Sequence, residues 1–186
     1  MTDEDIAGKP FRSLSSVSDG PIRDLLLESI NLLDNYTRGR VAEVVVAHLL
    51  DAQMVGDGYG DWDLEFLGSR IEVKASGEIQ SWPQSRPSRI TFGVERTEGW
   101  LEQPDGSFLA DREKVRRSDA YVFCHHVGVM PDDPLEWTFY VASTKRIDET
   151  CDDQKTIGVA SLLDRVGAIT TVASDLRAVV ADVLQC

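Results

Sequence analysis

The chain has 186 residues, 42% of them hydrophobic, and a formal net charge of −13. This length and apolar content suit one globular domain with its own core, and the acidity excludes a protein that coats nucleic acid nonspecifically. A nuclease with a local basic surface stays open, while no apolar run reaches the roughly 18 residues of a membrane span.

The N-terminal `MTDEDIAGKP` is acidic and lacks an apolar signal core. Cys124, Cys151 and Cys186 are too widely spaced for a disulfide framework or a zinc pattern. A reducing cytoplasm is the expected location, with no membrane partner. Residues 1–20 are polar and Ser-rich and are expected to form a flexible arm, leaving 21–186 as a single domain.

Pro21 is placed to open a helix over 22–35, with Ile22, Leu25, Leu26, Ile30 and Leu33 as its apolar stripe. `NYTRG` interrupts it, and `RVAEVVVAHLLDAQM` follows as a second helix. Its valines also suit a strand, but its length favours the helix. `VGDGYGD` is a turn-rich break. `WDLEFLG` and `SRIEVKA` read as neighbouring strands joined near Gly68. `GEIQSWPQSRPS` reads as a loop or short helix, and `RITFGVE` as a further strand. `GWLEQPDGSFLADREK` reads as a hairpin around Pro-Asp-Gly. `DAYVFCHHVGV` and `LEWTFYVAS` are apolar enough to be central strands. `GVASLLDRVG` and `VASDLRAVVADVL` read as closing helices. Helices, then strands, then helices suggest an α/β fold with a central mixed sheet flanked by helices.

Three places carry acids that need a reason. Glu43 lies in a helix apolar on nearly every side, so its carboxylate needs a cation, a donor or a proton. Arg38 and Arg40 are the nearby candidates for a structural ion pair. Asp63 and Glu65 point away from Trp62, Leu64 and Phe66, as on a solvated strand face. Glu72 and Lys74 are two apart on a strand, so their side chains point the same way with Cα atoms about 6.5–7 Å apart. If the two strands pair, Asp63 stands beside Glu72, and two like charges there call for a counterion. A divalent cation with hard oxygen ligands resolves the conflict.

`GRVAEVV`, then `WDL`, then `IEVKAS` resembles the PD-(D/E)XK superfamily, the restriction-endonuclease-like nucleases. The resemblance spans Arg38 to Trp82 and extends weakly into the two central strands. It implies a restriction-endonuclease-like core and Mg²⁺-dependent hydrolysis of phosphodiester bonds, with Mn²⁺ able to substitute. It implies that Asp63, Glu72 and the Val73 carbonyl hold the metal, that Glu43 assists through a water or a second ion, and that Lys74 attends the attacking water. By the same resemblance Gln80 is a candidate catalytic residue, with Ser76 and Gln84 near the phosphate. A helix cap at Ser76 and surface amides beyond it read the same residues structurally.

Trp82 is open to two readings, a ring that stacks on a base or a packing corner before Pro83. From Arg86 to Arg117 seven Lys or Arg face six Asp or Glu, a local +1 in an acidic chain. Arg86, Arg89, Lys114, Arg116 and Arg117 are therefore candidates for a phosphate-binding rim, or for a solvated charged face. His125 and His126 lack partners at zinc-ligand spacing, and His48 fills a helix face. DNA is the expected substrate, with RNA open, and recognition could come from a homodimer or a separate subunit. The alternative is a nucleic-acid-binding or structural protein that keeps the fold without cutting.

Overall fold

A computed structural model describes residues 20–21, 24, 28–55, 61–102 and 108–185. The expected N-terminal arm (Gly20 apart), the stripe residues Ile22, Leu25 and Leu26, and the Pro104-Asp105-Gly106 turn lie outside the described residues. The chain divides between Asn31 and Leu32, later than the expected boundary, and every element below belongs to the second unit, Leu32–Cys186.

Helix α1 spans Asn35–Leu50. `NYTRG` is thus its first turn and not an interruption. The Asp34 carboxylate caps it, accepting from the amides of Tyr36 at 2.8 Å and Thr37 at 3.3 Å. The helix also stops earlier than its pattern suggests. Asp51 adopts the left-handed conformation (φ 53°, ψ 48°) and returns its N–H to the carbonyls of Ala47 and His48. The chain then turns into a short strand, β1 (Gln53–Met54), where the sequence pattern continued the helix.

Strands β2 (Leu64–Phe66) and β3 (Ser69–Gly77) form the expected hairpin. Leu67 (φ 52°) and Gly68 (φ 78°) are both left-handed, the geometry of a two-residue primed turn that suits strand twist. β4 (Thr91–Gly93), β5 (Thr97–Glu102), β6 (Phe108–Val115), β7 (Ala120–His126) and β8 (Trp137–Ser143) follow. Then come α2 (Thr144–Cys151), β9 (Thr156–Gly158) and α3 (Val159–Ser161), the last continued by a π-helical turn at Leu162–Val166. β10 (Ile169–Thr171) and α4 (Leu176–Gln185) close the described chain.

The fold is mixed α/β. Six strands form one mixed sheet in the order β1-β2-β3-β7-β8-β10. Only β3 and β7 run parallel. The apolar strand β7, buried on both faces, sits inside the sheet, as its near-continuous apolar run requires. Val45, Val46 and Leu50 of α1 and Leu176 and Val180 of α4 cover one face, against Ile71, Val73, Val122 and Phe139. On the other face Ile147 of α2 and Leu162 pack with Phe92, Tyr121, Phe123 and Tyr140. β4 pairs with β9, and β5 with β6, as two separate ribbons. Among the described residues no helix is long and apolar enough to cross a membrane.

Candidate active site

The hairpin β2–β3 decides where the acids meet. Leu64 pairs with Ile71, so the continued register sets Asp63 beside Glu72. There β2 ends while β3 runs on to Gly77, and among the described residues no strand pairs with the outer edge of β3 from Glu72 onward. Asp63 fills the start of that gap. Its backbone N–H donates to the Ile71 carbonyl at 3.1 Å, and its carboxylate accepts from the Val73 N–H at 2.7 Å. Because N–H and C=O of one strand residue point the same way, the Val73 carbonyl faces the same free edge.

Glu72 and Lys74 project from the face that carries Tyr121 and Phe123, their partners on β7. They form a close ion pair with each other. Glu43 pairs with Arg40 on its own helix, which identifies Arg40, not Arg38, as its arginine. Its side chain is only 12% exposed.

The electrostatics tie these groups into one set. Burial pushes the Glu43 carboxyl up to about 7, and the negative charge of Asp63 adds to this against Arg40 and Lys74. Burial also raises Asp63, opposed by the Val73 N–H bond. Glu72 is raised by burial, then lowered by Lys74 and raised again by Asp63. For Lys74, burial favours the neutral amine, but the carboxylates of Glu72 and Asp63 outweigh it and hold the ammonium form. Three buried carboxyls thus share one lysine and Arg40, and burial still raises all three.

Glu72 and Lys74 open into a cleft of about 360 Å³ shared with Asp61, Glu95, Arg117 and Tyr121. Burial and the neighbouring Glu72 raise the Tyr121 hydroxyl to about 12, so it stays a hydrogen-bond donor. Asp61 pairs with Arg117 at 3.4 Å. Gly99 is needed here, since a Cβ on it would collide with the Arg117 guanidinium and lie 2.8 Å from Asp61.

The remaining candidates fall into three groups. Ser76 lies one repeat beyond Lys74 on the same strand, opposite His125. Gln80 and Gln84 hold the loop after β3: Gln80 accepts from Arg38 at 3.2 Å and donates to the Gly77 carbonyl at 2.7 Å, while Gln84 accepts from the Gln80 amide at 2.8 Å. Arg86, Arg89 and Lys114 are exposed. Arg116 is turned inward to the Val94 carbonyl at 2.8 Å and to Asp148 at 2.5 Å, and its side chain has no exposed surface. Arg117 is held by Asp111 at 2.7 Å and the Thr97 carbonyl at 2.7 Å. The five basic residues thus do not make one continuous rim.

Three features escaped the sequence. Arg38, 1% exposed, reaches from α1 to the carbonyls of Leu33 at 2.6 Å and Ile79 at 2.5 Å, clamping the loop after β3 onto the helix. Gly77 exists for this clamp, because a Cβ there would lie 2.6 Å from the Arg38 guanidinium carbon. His125 and His126 do have acid partners, Glu78 at 3.0 Å and Glu136 at 3.3 Å. Only the parallel register of β3 on β7 brings Glu78 to His125, and no local sequence signal carries it. His48 is exposed, and Cys124 and Cys151 are buried free thiols.

Among the described residues, the donors gathered at the free edge are hard oxygens: Asp63, Glu72 and the Val73 carbonyl. Such a set fits Mg²⁺, which is often held by one or two carboxylates and completes its shell with water and phosphate. Among the described residues no three His, Cys, Asp or Glu side chains are gathered into a ready metal cage. Glu72 and Glu43 are each turned to a basic neighbour instead. No protein-family model matches the chain, and no curated protein matches it significantly.

Proposed function

We propose that the protein is a metal-dependent nuclease of the restriction-endonuclease-like type, hydrolysing phosphodiester bonds in DNA. The observation that supports it best is the position of Asp63. Its carboxylate caps the Val73 N–H at the point where β2 leaves β3, next to Glu72 and Lys74. A plain solvated strand face would leave these acids apart and well hydrated, not buried around one lysine.

In this reading Asp63, Glu72 and the Val73 carbonyl hold Mg²⁺ or Mn²⁺, with Glu43 behind them. When bound, the ion supplies positive charge to the phosphate and lowers the pKa of a water. Lys74 works as an ammonium. It orients the attacking water with one hydrogen bond and stabilises charge growing on the phosphoryl oxygens. Tyr121 supplies a neutral donor in the same cleft. The Arg38 clamp keeps β3 and its following loop fixed against α1, so Glu43 and Lys74 keep their spacing.

A second reading keeps the fold as a nucleic-acid-binding or structural protein that does not cut. The closed pairs Glu72–Lys74 and Glu43–Arg40, with the charge of −13, favour it. Calorimetric titration of the protein with Mn²⁺ separates the two. The nuclease reading expects saturable binding that is lost in Asp63→Asn and Glu72→Gln and kept in Lys74→Ala. Absence of Mn²⁺ binding, with and without DNA, would favour the second.

A further inference from the structure

The loop between β3 and β4 carries a feature that the carboxylate site does not use. Trp82 is 52% exposed there, so it is not a packing corner. Trp82 and Arg86 line one shallow concavity of about 410 Å³, with Gln80 and Gln84 at its base. An exposed indole on a loose loop would mean little, but this loop is tightly held. Arg38 binds the Ile79 carbonyl and the Gln80 side chain. Gln84 donates to the Ser88 hydroxyl at 2.9 Å, and the Ser88 amide donates to the Glu78 carbonyl at 2.9 Å. Pro83 and Pro87 stiffen what remains. The ring is thus presented at little further entropic cost.

The charge of the loop points the same way. Every other arginine whose side chain is described donates to a carboxylate or an amide or carbonyl oxygen: Arg38, Arg40, Arg70, Arg96, Arg116, Arg117, Arg146, Arg165 and Arg177. Arg86 and Arg89 have no such partner among the described residues. In a chain with 32 acids against 19 bases, the unpaired Arg86 guanidinium in the same concavity as an exposed indole suits an occupant that is both anionic and aromatic.

We infer that the loop from Ile79 to Pro87 is a binding platform for single-stranded DNA, with Trp82 stacking on a splayed base and Arg86 holding a flanking phosphate. A duplex hides its base faces, so a stacking ring selects an unpaired stretch. The inference rests on the nuclease reading for its biological use, since it makes a single strand or a frayed end the preferred substrate. The binding itself is independent of cutting.

The test is fluorescence anisotropy of a labelled oligodeoxythymidylate and of a blunt duplex, both in EDTA so that nothing is cleaved. Trp82→Ala should weaken single-strand binding about tenfold or more, Trp82→Phe much less, and duplex binding should change little. Arg86→Gln should lower the salt slope of single-strand binding by about 0.7. The exposure of Trp82 means Trp82→Ala should melt with the wild type, so a fold defect is separable. Equal single-strand affinity in wild type and Trp82→Ala, or equal weakening on both DNAs, would overturn the platform. Trp82-dependent binding by a wild type that cleaves nothing would keep the platform and sink the nuclease. Cleavage without Trp82-dependent binding would do the reverse.

Discussion

Glu43→Gln should make the protein more stable, and increasingly so as pH rises from about 4.5. The Glu43 carboxyl is raised from 4.5 to about 7 by burial and by Asp63. Folding therefore favours its protonated form. That stability is fully present below about pH 4.5 and is lost as pH rises through about 7. That difference corresponds to about 3 kcal/mol once the group is ionised in both states. Glutamine keeps the shape and cannot ionise. Arg40, left without its carboxylate, is 30% exposed and can hydrate. In EDTA the variant should gain about 3 kcal/mol at about pH 8 but only about 1 kcal/mol at about pH 5. In a domain of this size the larger figure raises Tm by roughly 6–12 °C. Urea titration or calorimetry at the two pH values reads the difference. A gain equal at both, or a loss at the higher pH, would refute the picture of a carboxyl raised by burial.

Removing the clamp should cost far more than its distance from the carboxylates suggests. Arg38→Met strands the Ile79 carbonyl and removes a donor from the Gln80 side chain, and should lower stability by about 2–4 kcal/mol in urea titration. Gly77→Ala drives a methyl into the same guanidinium and should cost about 1–3 kcal/mol, whereas Gly77→Ala combined with Arg38→Met should cost less than the sum. Lys74→Ala should fold and bind Mn²⁺ with single-turnover cleavage reduced by about 10²–10⁴-fold. Arg116→Ala should act through stability, leaving the salt slope of DNA binding unchanged, since its guanidinium is spent on Val94 and Asp148.

Much of the site was legible because strand period is rigid. Glu72 and Lys74 must share a face, and a primed turn at Leu67–Gly68 fixes Asp63 opposite Glu72. The helix of Glu43 was legible from its length, but its ends were not. Asp34 captured the cap and turned `NYTRG` into helix, and Asp51 ended it through a left-handed residue that no apolar pattern announces. Short edge strands such as β1, β9 and β10 carry too few residues for a period. The helix α2 was missed because `TKRIDETC` has only two apolar anchors, Ile147 and Cys151, and owes its place to tertiary packing. Arg116 and Arg117 looked like a basic rim because sequence counts charges and cannot see which ones are paired. The same blindness hid the converse, that Arg86 and Arg89 are unpaired.

On the proposed function, Asp63, Glu72 and Lys74 form a metal-dependent hydrolytic site. Single-turnover cleavage of supercoiled, linear and single-stranded DNA with Mg²⁺ or Mn²⁺ tests it most directly, using wild type, Asp63→Ala and Lys74→Ala. Wild type should cleave, EDTA should abolish the cleavage, and each substitution should lower it by at least about 10²-fold. Equal rates in all three proteins, or a wild type inert on every DNA and RNA form with either ion, would contradict it.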